Sequence, residues 1–347
     1  MSPSAAARPK PSERRVLIPL DVAVPPSLAA LRVLDVVTLG GATMGTNWSV
    51  KMAVPPRTDL APLAEGIEAV LARVVAEMSP WEADSDLSRF NAAPAGTAQT
   101  LPGGFFKVLS AALHWAAASG GAFDPTVGPS VALWGFGPAP ADVFPAASEI
   151  DRAAARSGWQ RIRLDPETQT AVQPGGVAID LCAIAKGFAV DEVARFLRSR
   201  GIANMLVEIG GELRGEGLKP DGAPWWIAFE RPRGAAAATL PETLLALAGR
   251  SVATSGDERR YFEHGGRRYA HTIDPRTGAP VAHDLVSVTV VAGDCMTADA
   301  LATTLTVLGP DEGPRFAEHH RLAARLVSLK DGMLSEHLSP AMCAMQD

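Results

Sequence analysis

Between residues 225 and 292 the chain carries a run of short segments rich in β-branched and aromatic residues, WWIAFE, SVATSG, RYFEH, RRYAHTI and VSVTVVA, with glycine-containing breaks and no helical repeat among them. Short strands separated by turn residues return on themselves as hairpins, whereas a parallel sheet needs a helix-length crossover between successive strands. That pattern selects an α+β chain with mixed, largely antiparallel sheets packed with helices, and argues against a doubly wound sheet. The first half agrees. VVTLGGATMGTNWSVKMAV reads as two β-segments around a glycine turn that holds Met44, and ANMLVEIGGEL reads as a strand. Strands are also expected at QRIRL and VAIDL. Helical spacing of apolar residues marks 60–78, 105–118, about 148–157, 185–198 and 297–308, with stops at Ser79-Pro80, Gly120-Gly121, Gly201 and Gly309-Pro310. Ser85 and Asp86 compete as helix caps ahead of Leu87.

Composition bounds the function. The 347 residues are 47% hydrophobic and 20% charged, enough apolar matter for a large core. A net charge of −6 argues against a nucleic-acid binder, whose basic face would displace counterions from phosphates. A small phosphate ligand stays possible, because its binding depends on the local field and on backbone amides. Three cysteines without a C-x-x-C pair exclude a disulfide framework and a zinc motif. No apolar run reaches membrane-spanning length, and the Pro- and Ala-rich lead-in, broken by Asp21, Pro25 and Pro26, shows no signal peptide, so the expected location is the cytoplasm, with the periplasm or inner membrane as the alternative if the start has lost an export signal. The expected organisation is an extension over 1–35, a catalytic domain over 36–335 and a tail over 336–347.

Three segments carry side chains suited to chemistry. In IDLCAIAKG, Asp180 and Lys186 flank a turn ahead of a helix, where a phosphate could meet backbone N–H groups and an ammonium; a cap and a solvated lysine is the plainer reading. In TADALATT, Asp299 and Thr303 stand four apart, one turn of a helix, as two hard oxygen donors suited to magnesium, or else as a first-turn acid and a packed threonine. In RRYAHTIDPRTGAPV, His271 ends a strand beside a tight turn, placed for proton transfer or for bonding that turn.

Seven segments in order, GATMGTNWSV, MSPWEADSDLSRFN, SGGAFDPTVGP with LWGFG, IDLCAIAKGFAVDEV, LVEIGGELRGEG, SVATSGDERRYFEHGGRRYAHTIDPRTGAPV and TADALATTLTVLG, together resemble the ApbE family of FAD:protein FMN transferases over about Gly40 to Gly309. The resemblance implies a T-fold-related catalytic domain that, with Mg²⁺, splits FAD, joins FMN through a phosphoester to a threonine or serine of an acceptor flavoprotein such as a membrane redox-pump subunit, and releases AMP. By its motifs, Met44, Trp81, Ala122, Phe123, Asp124, Asp180, Lys186 and Ile273 would line the FAD site, with Asp180 toward adenine and Lys186 on the phosphates. Trp81 stands where the family more often has tyrosine. The Ala183 carbonyl, Asp299 and Thr303 would bind the metal, and His271 would be the general base. Competing readings are an FAD pyrophosphatase giving FMN and AMP, a flavin carrier without turnover, and an interaction protein that keeps only the fold.

Smaller features read more plainly. Asp257 and Arg259 shape a substrate mouth or are surface charge, Gly210 and Gly211 serve a backbone turn, Trp225 and Trp226 fill the core, and His319 and His320 lie on a solvated helix face. Cys182 and Cys295 are two buried thiols or an oxidisable pair beside the metal site.

Overall fold

Glycine turns join neighbouring strands of this chain into hairpins, and most of those hairpins merge into one sheet. The computed structural model describes residues 14–19, 28–139, 143–232, 239–256, 261–265 and 267–346; Asp257 and Arg259 lie outside the described residues. The elements run β1 (Arg14–Leu17), α1 (Leu28–Leu31), β2 (Asp35–Thr43), β3 (Thr46–Val54), α2 (Ala61–Met78), α3 (Asp86–Ala92), β4 (Ala98–Thr100), α4 (Gly103–Ala118), α5 (Gly128–Leu133), α6 (Ala147–Ala154), β5 (Arg163–Asp165), β6 (Thr170–Val172) and α7 (Ala185–Ser199). They continue with β7 (Met205–Ile209), β8 (Glu212–Glu216), β9 (Trp225–Ala228), β10 (Glu242–Leu247), β11 (Arg250–Gly256), β12 (Tyr261–His264), β13 (Arg267–Ala270), β14 (Ile273–Asp274), β15 (Ala279–Pro280), β16 (Leu285–Ala292), α8 (Cys295–His319), β17 (Ala323–Lys330), β18 (Met333–Leu338) and α9 (Pro340–Cys343).

The main sheet has eight strands in the order β18-β17-β16-β11-β8-β7-β3-β2, and every neighbouring pair is antiparallel. The α+β reading therefore holds. Period-two burial turns Met205, Val207 and Ile209 of β7 inward, onto a core shared with Ile67 and Leu71 of α2 and Val193 and Leu197 of α7. Farther along the sheet, Ala298, Leu301, Ala302 and Leu305 of α8 cover Val288 and Val290 of β16 and Leu326 of β17. Each fully buried Leu, Ile or Val contributes about 1.5–3 kcal/mol, so these two faces hold the helices on the sheet. Among the described residues no helix is long and apolar enough to cross a membrane.

Several local expectations change. Residues 14–17 are not an outlying extension: β1 pairs in parallel with β10, Leu17 is fully buried, and Arg15 bridges to Glu336 at 2.6 Å. The tail likewise belongs to the fold, with β18 on the sheet edge and Met342 of α9 buried. VAIDL makes only an isolated bridge, Ala178 with Val127, because the Asp180 N–H donates to the Pro125 carbonyl instead of to a strand. QRIRL spends its first residues on a 3₁₀ turn, Trp159–Arg161, before β5 begins. Trp225 fills the core, but its neighbour Trp226 on the opposite face of β9 is 39% exposed.

The last long helix starts two residues early because Asp294 caps it, its Oδ1 accepting from the Thr297 N–H at 2.8 Å. It breaks at Gly309 (φ 77°, ψ −172°) as expected, then resumes to His319, where the His320 ring lies 4.2 Å from Phe316. A second cap comes from another helix. Asp191 of α7 accepts from the Cys295 and Met296 N–H groups at 2.9 Å and pairs with Arg214 of β8 at 3.1 Å. Arg214 also reaches Glu216, Ser251 and the Gly293 carbonyl, so one arginine ties α7, β8, β11 and the turn before α8.

Asp191→Ala leaves the α8 N-terminus short of acceptors and Arg214 without one of its two carboxylates. The expected cost is about 3 kcal/mol. Urea unfolding checks it, and a midpoint unchanged from wild type would show that the cross-helix cap does not hold α8 in place.

Candidate functional site

The site grows from the contact between α7 and α8. Gly187 lies against α8 so closely that a Cβ there would fall 2.2 Å from the Cys295 carbonyl oxygen and 2.8 Å from the Asp299 Cβ. Without that side chain, the Gly187 N–H reaches Asp299 Oδ2 at 2.9 Å. Lys186, one residue earlier in the first turn of α7, pairs its ammonium with Glu212 at the start of β8. Asp299 and Glu212 are 4% and 3% exposed, and the lysine side chain is 32% exposed.

Two carboxylates and one ammonium cannot all be charged without strain in so dry a place. Burial pushes the Glu212 carboxyl up to about 7 against the pull of Lys186, and the Asp299 charge adds to the rise. Burial also raises Asp299, with Lys186 and the Gly187 N–H opposing it. For Lys186 burial works downward, but Asp299 and Glu212 outweigh it and hold the ammonium above the ordinary lysine range. The lysine is the settled charge here; Glu212 is the group poised near neutrality.

Glu212 is the residue that sequence reading passed over. Gly210 (φ 64°) and Gly211 (φ 105°) do form the expected turn, which pairs Ile209 with Glu212 across the hairpin. The Gly210 N–H donates to the Asn47 carbonyl at 3.1 Å, and Thr46 lies beside it. Met44 (φ 49°) sits in the tip of that adjoining β2–β3 hairpin, half-buried against the core. A charged residue closing an apolar hairpin in IGGE was the available signal.

The other predicted positions fall into two groups. Ala122, Phe123 and Asp124 are buried after α4, and the Asp124 carboxylate is used by the chain itself, accepting from the Thr126 N–H at 2.8 Å, its hydroxyl at 2.6 Å and the Trp159 N–H at 3.3 Å. The Asp180 N–H meets the Pro125 carbonyl, which sets this segment beside the turn 182–184 that carries Ala183; Asp180 Oδ1 accepts from the Cys182 N–H at 2.8 Å. Trp81 stands at the end of α2, 46% exposed.

His271 and Ile273 belong to a separate arm. Ile273 is buried and pairs with Pro280, closing the turn in which Arg276 grips Asp274 with two nitrogens and reaches Glu312 and the Val307 carbonyl of α8. Trp134 of the LWGFG segment donates its indole N–H to the Gly278 carbonyl at 2.8 Å, and the Phe136 ring meets the His271 ring edge-on with centroids 6.3 Å apart. The histidine thus packs on Phe136, just after α5, and the turn that follows it is tied to α8 by the Arg276–Glu312 salt bridge.

Thr303 lies one turn beyond Asp299 and shares a hydrogen bond of 3.2 Å with Ser255. Among the described residues no three His, Cys, Asp or Glu side chains gather. On α8, Asp299 and Thr303 stand one turn apart as a carboxylate and a hydroxyl, oxygen donors whose chemistry fits a hard divalent cation. Among the described residues Cys182, Cys295 and Cys343 form no disulfide. Cys295 is fully buried, and burial first, then Asp191 and Asp299, hold its thiol well above the usual thiol range.

The ApbE family model matches residues 44–326. The chain is 40% identical over 305 residues to an FAD:protein FMN transferase of Vibrio cholerae, covering 87% of this chain and 90% of that one, and 41% identical over 323 residues to one of Haemophilus influenzae, covering 89% and 92%. Among solved structures, the apo flavinyl transferase ApbE of Pseudomonas stutzeri superposes with a TM-score of 0.83 at 38% identity, over 90% of this chain and 97% of that one. The flavin transferase ApbE of Vibrio cholerae gives 0.83 at 37%, over 90% and 99%.

The elevated Glu212 has a consequence for stability. Between its ordinary value of 4.5 and about 7, the folded chain keeps a proton that the unfolded chain has released. Stability therefore falls as pH rises through that window. Glu212→Gln removes this contribution, so the variant should gain relative to wild type between about pH 5 and about pH 8. Urea midpoints at the two pH values measure it; a difference that stays constant would place Glu212 in the ordinary carboxylate range.

Proposed function

The chain belongs to the ApbE family of FAD:protein FMN transferases, and from that premise we propose how its residues divide the work. The observation that carries the reading is the α7–α8 contact, where Gly187, next to Lys186, donates its N–H to Asp299 of α8 and the Asp299 charge acts on the lysine. In the proposed reaction a threonine or serine hydroxyl of an acceptor flavoprotein attacks the phosphorus on the FMN side of the FAD diphosphate. The bond from that phosphorus to the bridging oxygen breaks, AMP leaves with the oxygen, and the hydroxyl proton passes to His271. Such a displacement asks the protein mainly for positioning and for positive charge on the phosphate oxygens.

Lys186 supplies that charge from the first turn of a helix, whose N-terminal field also favours an anion. Met44, the 122–124 segment, Asp180 and Ile273 line the FAD, with Asp180 toward adenine through the oxygen not used by the Cys182 N–H. Trp81, exposed and flat, offers a face on which a flavin or adenine ring can stack. Asp299, Thr303 and the Ala183 carbonyl would hold Mg²⁺, which when bound adds cationic charge for the phosphate oxygens. His271 receives the acceptor proton because an un-ionised threonine is a weak nucleophile near neutral pH. A membrane redox-pump subunit is the acceptor type proposed.

Incubation with FAD, Mg²⁺ and an acceptor carrying the threonine or serine segment tests the whole scheme. The acceptor mass should rise by one FMN and AMP should appear in equal amount. Free FMN with an unchanged acceptor would make the enzyme a hydrolase, and intact FAD would end the proposal. Asp299→Ala should cut turnover at least about a hundredfold, since it removes the charged side-chain ligand of the proposed metal set. His271→Ala should lower kcat about a hundredfold or more with FAD affinity nearly unchanged. A matching loss in affinity would make His271 a binding residue.

A further inference from the structure

Glu212 has no part in the scheme above, yet it occupies the most constrained place near Lys186. It sits on a strand, in the first pair of the β7–β8 hairpin, and the turn beside it is pinned to β3 through the Gly210 N–H. One carboxylate oxygen takes the Lys186 ammonium. The other, Oε2, is buried and has no hydrogen-bond partner among the described residues. A carboxylate in that state is a poor stabiliser: burial of an ion pair gives back little, and an orphaned buried oxygen costs the fold outright. Its place is better explained by what it does to the lysine. Lys186 has a long flexible stem, and its pairing with Glu212 on a strand holds the ammonium in one place.

We propose that Glu212 is a positioning residue for the transfer, holding the Lys186 ammonium from beneath so that it meets the diphosphate already oriented. The inference rests on the reading of Lys186 as the phosphate-facing lysine. A rigid strand carries the anchor and a helix start carries the charge, so the ammonium is fixed between two elements of the core. Holding the lysine improves its alignment in the transition state more than it improves ground-state affinity, because a negative anchor also repels the incoming diphosphate. The signature is a loss in kcat without an equal loss in FAD binding.

The test is a double-mutant cycle of Glu212→Gln and Lys186→Ala on the full chain. It reads kcat for FMN transfer, the Kd for FAD by flavin fluorescence without acceptor, and Tm. Glu212→Gln should lower kcat about tenfold to a hundredfold while the FAD Kd moves less than about threefold. The double variant should be no slower than Lys186→Ala alone, because a residue that acts through the lysine has nothing left to do. In the ligand-free protein, acylation of Lys186 by an amine reagent, read by peptide mass, should rise at least about threefold in Glu212→Gln as the ammonium loses its partner. Unchanged kcat, parallel losses in kcat and affinity, or multiplicative effects in the cycle each overturn the proposal while leaving the role of Lys186 intact. A Lys186→Ala variant with normal kcat and Kd would remove both. If Glu212→Gln does not fold, Glu212→Asp, which keeps the charge one methylene back, takes its place in the cycle with a smaller kcat loss expected.

Discussion

The missing side chain at Gly187 is the constraint on which the site depends. Two helices whose contacting residues are 112 apart in the sequence, α7 and α8, touch there at a distance that admits no Cβ, and the backbone N–H that this exposes is spent on Asp299. One turn later on the same face of α7, Asp191 takes the first N–H groups of α8. The helix that brings the lysine therefore also caps the helix that brings the carboxylate, so the backbones that carry the two groups are fixed relative to one another, while the lysine ammonium itself is fixed by Glu212. Arg214 extends that control to the sheet, since it binds Asp191, Ser251 and the Gly293 carbonyl at once.

Much of this was open to a reader of the sequence alone, and the failures have physical causes. The hairpins, the α2, α4 and α7 helices and the break at Gly309 follow from periodicity and glycine placement, which are local. The three chemical segments could be named but not joined, because nothing local says that residue 187 will rest on residue 299. Asp191 and Glu212 went unread for the same reason: each is an acid on a buried face, and its partner is distant in sequence. The acid inside the apolar stripe of AKGFAVDEV was a visible anomaly. β1 was missed because proline and alanine around it hide a strand of four residues whose pairing partner lies past residue 240.

The aromatic residues of LWGFG gain a meaning that the motif alone does not give. Trp134 is buried and holds the turn after His271 by its indole N–H, Tyr269 stacks on it with centroids 5.9 Å apart, and Phe136 meets the histidine ring. Gly278 completes the fit: a side chain there would press on Ala154 and on the Ile150 carbonyl of α6. The arm that carries the proposed base is thus seated on α6 and the segment after α5, and Arg276 ties it to α8 as well. The proposed base and the proposed phosphate-facing lysine are therefore both braced, directly or through α7, against α8.

The strand β1 and the segment after β18 also meet. The Ile18 N–H donates to the Met345 carbonyl at 2.7 Å, Leu17 bridges to Gln346, and Arg15 shares Glu336 with the buried Arg325. Residues 14–18 are made well before β10 gives them a strand to join and before residues 336–346 supply their ion pair and closing hydrogen bond. This seam between β1 and the segment after β17 therefore closes later than the pairing of β1 with β10 becomes possible.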